Sequence, residues 1–179
     1  MAEQTILIEK MAIPADEAFM EIDQQKLRQC FGAFMTGVTI VTTTDSHDKP
    51  IGFTANSFTS VSLTPPMLLV CIANGSENLS AYTKGRGFAV NVLASDQQDL
   101  SSRFASPIAD RFEGIAWQNS ALGFPIFKDV AASFDCTLEQ AIAAGDHTIM
   151  LGRIENFCSA DKLGLGYHRG QYFTRGDTA

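Results

Sequence analysis

Gly145-Asp146-His147 sets one of the chain's three histidines at the first residue of an apolar run, directly after a Gly-Asp turn signal. A histidine at such a strand mouth can donate a hydrogen bond, hold a carboxamide or move a proton near neutral pH. The same placement serves a structural histidine that satisfies a turn carbonyl, and one imidazole does not separate the two. A second chemistry-bearing segment runs from Pro50 to Ser76 without a charged residue. Its first half carries Thr54, Asn56, Ser57, Thr59, Ser60, Ser62 and Thr64, followed by a Pro65-Pro66 corner and an apolar run from Met67 to Ala73. Hydroxyls and amides on an extended backbone give a planar, polar-edged ligand many fixed partners and no charge to desolvate. A half-buried strand with Thr and Ser facing water has the same composition.

Cations come next along the chain. Asn74-Gly75-Ser76 opens a short helix that Lys84-Gly85-Arg86-Gly87 closes. Backbone amides at Ser76 to Asn78 together with Lys84 and Arg86 would make a phosphate site, with Arg103 on the following helix as a further candidate. Plain solvated surface accounts for the same residues. Tyr167-His168-Arg169-Gly170-Gln171-Tyr172 can stack on and pair with a nucleotide, or form a solvated tail. His47 lies in the Asp45–Pro50 turn and is expected to be exposed. No GxGxxG, P-loop or Ser-His-Asp spacing is present, so dinucleotide binding of the Rossmann type, NTP hydrolysis and serine hydrolysis have no support. Cys30, Cys71, Cys136 and Cys158 are far apart, with no CxxC, which argues against a metal site and against a disulfide framework. They read as buried thiols of a reducing cytoplasm.

The elements that must position these groups belong to one globular domain. The chain has 179 residues, 45% hydrophobic and 18% charged. A net charge of −7 argues against non-specific nucleic-acid binding. No stretch has signal-peptide character or the roughly 18 apolar residues of a membrane span. Residues 1–20 read as an N-terminal arm and 21–179 as the domain. Asp23 reads as an N-cap before an apolar face of Leu27, Cys30, Phe31 and Phe34, with Gly37 able to end the helix. Val38–Thr43 reads as a strand that pairs with the long polar strand after the Asp45–Pro50 turn. A fully buried strand is expected over Met67–Ala73, another over Phe88–Leu93, and a helix from Ser95-Asp96-Gln97-Gln98 to about Phe104. Residues 106–128 read as an irregular excursion. Two longer strands, near 131–142 and 147–161, finish a mainly β architecture of six or seven strands with short helices. A closed or partly open antiparallel barrel follows, because closure removes exposed edges.

Order and spacing of these segments resemble the flavin reductase-like family, the small reductase components of two-component flavin-dependent monooxygenases. The resemblance runs from Phe31 to Tyr172. It rests on Phe34-Met-Thr-Gly-Val38, Gly52 to Leu63 with Pro65-Pro66, Phe88 to Leu93, Gln97 to Phe104, Gly145-Asp146-His147 and the Tyr167–Tyr172 cluster. One departure is Thr64, where the family often has an acidic residue. The resemblance implies a Greek-key, FMN-binding split β-barrel, a homodimer, and reduction of FMN or FAD by NADH or NADPH. It implies that Thr54, Ala55, Asn56, Ser57 and Ser60 line the flavin, and that Cys71 and Ile72 offer backbone groups to its ring edge. Ser76 and Asn78 would meet the ribityl or phosphate end, where Lys84 and Arg103 help. His147 would face the nicotinamide, with Arg169 and Tyr172 closing that pocket. It also implies a monooxygenase partner supplied with diffusible reduced flavin; the cysteines, the hydropathy and the net charge add a cytoplasmic location with no membrane and no nucleic-acid partner. The competing readings are a protein with tightly held FMN that reduces a metal complex or a quinone, and a flavin-storage module with no nicotinamide site.

Overall fold

The computed structural model describes residues 22–174; the N-terminal arm expected over residues 1–20 lies outside them. Helix α1 (Gln24–Gly32) starts where Asp23 predicts. The Asp23 carboxylate accepts hydrogen bonds from the Gln25 and Lys26 backbone N–H groups, two of the donors a helix start leaves without partners. The helix stops at Gly32 and does not run on to Gly37, because Thr36–Gly37 is claimed as strand β1. Its apolar face also stays outside. No α1 residue is buried, and Phe31 and Phe34 are 69% and 76% exposed.

Seven strands form the main sheet: β2 (Thr39–Thr44), β3 (Pro50–Ala55), β4 (Thr59–Leu63), β5 (Pro66–Ala73), β6 (Gly87–Val92), β9 (Ala132–Ala144) and β10 (His147–Ser159). Their spatial order is β3-β2-β6-β9-β10-β5-β4, and every pairing is antiparallel. The β-branched β2 and the apolar β6 sit near the middle and are buried on both faces, so their periodicity is nearly continuous rather than alternating. Val41, Val90, Phe88, Leu68, Val70, Ile72 and Met150 share one core. Val38, Ile40 and Leu93 join a second with Phe104, Phe112 and Phe127.

The polar segment is not one strand. It divides into β3 and β4, which lie at opposite edges of the sheet although only residues 56–58 join them. Three linking residues hold Ala55 and Thr59 within about 14 Å, so the sheet must curl until its two edges face each other. No β3–β4 ladder closes it, and a seam remains. The break has a local cause. Phe58 turns inward to stack on Phe134 at 5.7 Å, while Ser57 Oγ accepts the Cys71 N–H at 2.9 Å. β5 is likewise not fully buried: Leu68, Val70 and Ile72 point into the core and the alternate residues do not.

Helix α2 (Leu79–Thr83) carries the buried Tyr82, whose hydroxyl donates to Val41 O at 3.1 Å; burial raises its pKa and keeps the phenol neutral. Helix α3 (Gln98–Ala105) packs Phe104 against Phe112 and Phe127, with ring centroids 4.9 and 5.0 Å apart. The 106–128 excursion is irregular apart from a small hairpin of β7 (Trp117–Asn119) and β8 (Pro125–Phe127). The C-terminal cluster is no solvated tail. β11 (Gly166–His168) and β12 (Gln171–Phe173) form a hairpin paired with β1. Nor are the cysteines uniformly buried. Cys136 is, and burial pushes its thiol up to about 12, whereas Cys30 and Cys158 are exposed.

Candidate functional site

Thr54 stands near the end of β3, on the seam, and donates from Oγ1 to Ser101 O at 2.6 Å. Ser101 is fully buried on the inner face of α3, one turn before Phe104. Its Oγ meets Tyr172 Oη at 2.9 Å, so β3, α3 and β12 are joined through one serine. Tyr172 packs edge-on to Tyr167. Arg169 occupies the β11–β12 turn at φ 49, exposed, with its N–H on Gly32 O at 2.9 Å. Among the other residues expected to line a ring, Ala55 is 8% exposed and Asn56 and Ser60 are exposed. Ser57 is held by Cys71. The Ile72 side chain is in the core, and the residue stands opposite Thr148 in the β5–β10 ladder.

β5 relates the histidine to Ser57 through its register. β4 pairs with β5 only from Pro66 to Leu69, which leaves the Cys71 end of that edge to Ser57. On the other side of β5, His147 is in register with Ala73, two residues beyond Cys71 and therefore about 7 Å along the strand. The turn before it is pinned. Asn74 N–H donates to Asp146 O at 2.9 Å, Asn74 Nδ2 to Gly145 O at 3.1 Å, and Thr148 Oγ1 to Asn74 Oδ1 at 2.8 Å. His147 Nδ1 lies 2.7 Å from Asp146 Oδ1, and that hydrogen bond holds the Asp146 carboxyl below its ordinary pKa. With Nδ1 occupied, Nε2 is the nitrogen left for a ligand.

Ser76 and Asn78 stand apart from these residues, on the wall of a cavity of about 640 Å³ beside the β3 edge. Ser76 Oγ accepts the Asn78 N–H at 3.4 Å, and α2 begins only at Leu79. Lys84, exposed, follows that helix. Arg103 does different work from a free phosphate ligand. Its Nε donates to Arg111 O at 2.7 Å, and its Nη2 donates to Asp110 O at 3.2 Å and Glu113 O at 2.8 Å. Only Nη1 remains for an anion.

The seam thus has Thr54, joined through Ser101 to Tyr172, and Ser57 on Cys71, while His147 stands across β5 opposite Ala73 and Ser76 and Asn78 form a separate group. Three contributors escaped the sequence reading: Ser101, Asp146 as the partner of His147, and Arg111, which donates to Gly52 O at 3.0 Å. A signal existed for Ser101, a polar residue three before Phe104 on the apolar side of its helix. Among the described residues there is no cluster of metal-ligating side chains, and no helix is long and apolar enough to cross a membrane.

Known proteins resemble this chain in sequence and in fold. The reductase component of the flavin-dependent trigonelline monooxygenase of Acinetobacter baylyi is 51% identical over 150 residues, 84% of this chain and 48% of that protein. The reductase subunit of the stachydrine N-demethylase of Rhizobium meliloti is 50% identical over 151 residues, 84% of this chain and 66% of that one. The chain therefore spans about half to two thirds of the length of these relatives. Among solved structures, the NADH:FAD oxidoreductase of Streptomyces globisporus, in complex with NAD and FAD fragments, superposes with a TM-score of 0.82 at 34% identity, covering 88% of this chain and 95% of that one. The flavin reductase like domain matches residues 31–176, and with nearly the whole described fold inside that match the chain belongs to the flavin reductase-like family.

Proposed function

We propose that this chain is an NAD(P)H:flavin oxidoreductase that delivers reduced FMN or FAD to a monooxygenase partner. The observation that carries the reading is the register of β5: its Cys71–Ala73 end has the hydroxyl of Ser57 on one edge and His147, opposite Ala73, on the other. The donor set fits an isoalloxazine, whose edge alternates acceptors and N–H and whose faces are apolar. The names of the relatives, reductase components and an NADH:FAD oxidoreductase, point the same way.

Flavin, when bound, would supply the electron-accepting ring, and a hydride from the nicotinamide would leave it as the reduced anion with no proton taken up. The work of the chain is positional. Asn56 and Ser60 hold the ring edge, and Thr54 is fixed by Ser101 so that the β3 edge does not shift. Cys71 and Ile72 form the floor under Ser57, and Ser76 and Asn78 meet the ribityl phosphate. Lys84 and Arg103 Nη1 bring positive charge to that end. His147, with Nδ1 on Asp146, directs Nε2 at the nicotinamide carboxamide, and Arg169 and Tyr172 close that side. Stacking at near-attack distance is the source of rate. A loop without charge binds the anionic reduced ring loosely enough to release it to a partner.

On this reading the curled sheet with its open seam is a Greek-key split barrel. A homodimer accounts for the exposed Phe31, Phe34, Met35, Leu63 and Phe157, apolar side chains that no described residue covers. Four unpaired cysteines suit the cytoplasm. The test is oxidation of NADH and NADPH followed at 340 nm without flavin, with FMN and with FAD. Turnover that requires and saturates with added flavin is expected. Turnover without added flavin would point to a bound FMN that reduces another acceptor. Flavin binding without any oxidation would make this a storage module.

A further inference from the structure

Ser101 and Phe104 are the buried residues of α3, and Ser101 is 0% exposed. A hydroxyl in that position has no water to bond and must find its partners inside the fold. The residue divides its work. Its N–H donates to Gln97 O at 3.1 Å within the helix, and its carbonyl accepts the Thr54 hydroxyl at 2.6 Å. Oγ is left for Tyr172 Oη at 2.9 Å, and among the described residues it has no other partner. Were Tyr172 the donor, the serine hydrogen would be buried with nothing to receive it, at the full desolvation cost of that group. Ser101 therefore donates and Tyr172 accepts.

The direction of that bond leaves Tyr172 with a hydrogen of its own to place. Tyr172 is half-buried at the middle of β12, opposite Tyr167 in the β11–β12 ladder, with the two rings edge-on at 5.3 Å. Both rings pack against the second core. A ring wedged on one side and pinned at its tip keeps only the rotation of its O–H bond. One lone pair of Oη takes the serine hydrogen, and a hydroxyl that accepts a hydrogen bond becomes a better donor. No described residue other than Ser101 bonds to Tyr172 Oη. What remains is a fixed donor without an acceptor among the described residues, the kind of group that reads a ligand carbonyl.

We propose that Ser101 is a positioning residue: it fixes Tyr172 as a hydrogen-bond donor to the carboxamide oxygen of the nicotinamide. The target rests on the reductase reading, which sets the hydride donor on the Tyr172 side. In the reduced nicotinamide the ring nitrogen is conjugated through a C=C bond to the carboxamide, so negative charge collects on that oxygen. Loss of the hydride leaves the ring cationic and takes that charge away. The Tyr172 donor is therefore strongest toward the reduced form and weakens as the hydride leaves. It serves recognition of the hydride donor and release of the oxidised product. It does not serve the rate of transfer, because an interaction made in the ground state and lost later does not lower the barrier.

The experiment is steady-state oxidation, at saturating flavin, of NADH and of its thionicotinamide analogue, in which sulfur, a weak acceptor, replaces the carboxamide oxygen. Wild type is compared with Tyr172→Phe, Ser101→Ala and the double variant. Tyr172→Phe should raise KM for NADH by about three- to tenfold. Its kcat should stay within about twofold of wild type, and KM for the analogue should barely move. Ser101→Ala should act in the same direction, and should add nothing once Tyr172→Phe is present, because both remove one bond. Flavin affinity by titration should hold in Ser101→Ala, since the backbone carbonyl still receives Thr54. Equal rises in KM for NADH and the analogue would make Tyr172 a wall and not a donor, and would overturn the proposal. So would effects of the two substitutions that add in KM, or a lowered urea midpoint in Ser101→Ala with KM unmoved. No oxidation of NADH by wild type, with FMN or FAD added, would instead end the reductase reading and take the nicotinamide target with it.

Discussion

Ser101 and His147 are held in contrasting ways. Ser101 is fully buried, with a partner on β3 and another on β12, and sits one turn from the aromatic cluster of Phe104, Phe112 and Phe127. His147 is 47% exposed at the tip of the longest hairpin, and its side-chain partner, Asp146, is 95% exposed. Buried polar groups with every bond made specify one geometry. An exposed pair, screened by water, sets an orientation at little cost and lets it change. The molecule thus separates a rigid flank from an adjustable one. On the proposed reading the flavin edge meets the rigid flank, while the nicotinamide, which must come and go, lies between Tyr172 of that flank and the adjustable His147.

The largest expected effect falls on the rigid flank. Phe104→Ala removes the ring on which the cluster closes, and should lower stability by about 3–5 kcal/mol in urea unfolding. A loss under 1 kcal/mol would mean that α3 is not the anchor described. On the adjustable flank, His147→Ala should leave the midpoint of unfolding in place and reduce NAD(P)H turnover by about a hundredfold, with flavin affinity unchanged. Equal losses in turnover and flavin affinity would erase the division between the flanks. Arg103→Lys sharpens it further. A lysine cannot reproduce a fork that reaches three carbonyls, so about 1–3 kcal/mol should be lost, with faster amide exchange confined to residues 110–113. Asn56→Leu, on the seam itself, should cost roughly 1–3 kcal/mol of flavin binding by titration. Unchanged affinity would remove that loop from the site.

The same division governs what could be read from the chain beforehand. Features set by neighbours in sequence were legible: Asp23 as a cap, the Asp45–Pro50 turn, the β-branched run of β2, and the Gly145-Asp146 turn with its two long strands. Features set by distant partners were not. Nothing local says that Thr59–Leu63 leaves Pro50–Ala55 for the far edge of the sheet, since the cause is Phe58 meeting Phe134 and Ser57 meeting Cys71. The apolar stripe of Leu27 and Phe31 was visible as periodicity, but periodicity does not reveal that none of the described residues buries the stripe. For the candidate site, hydroxyl-rich composition and the placed histidine were legible. The Ser101 junction and the Arg103 strut were not, because each joins segments that only the tertiary fold brings together.

The smallest effect belongs to Asp146→Asn, and its pH dependence is the most exacting test of the adjustable flank. The Asp146 carboxyl is depressed below its ordinary 3.8, first by the hydrogen bond with His147 and then by its charge. A depressed carboxylate contributes stability that is present above the unfolded value and lost as pH falls through the folded one. Any stability difference between wild type and Asp146→Asn should therefore hold from neutrality down to about pH 4 and fade below it. Because the pair is exposed, that difference should be small and should shrink further in high salt. The turn keeps its backbone bonds to Asn74 in the variant, so the fold survives and only the imidazole loses its guide. NADH turnover should then fall by less than in His147→Ala, with KM rising more than kcat drops. A variant indistinguishable from wild type in turnover would leave His147 oriented by the ligand alone; one as slow as His147→Ala would make the flank as rigid as its counterpart.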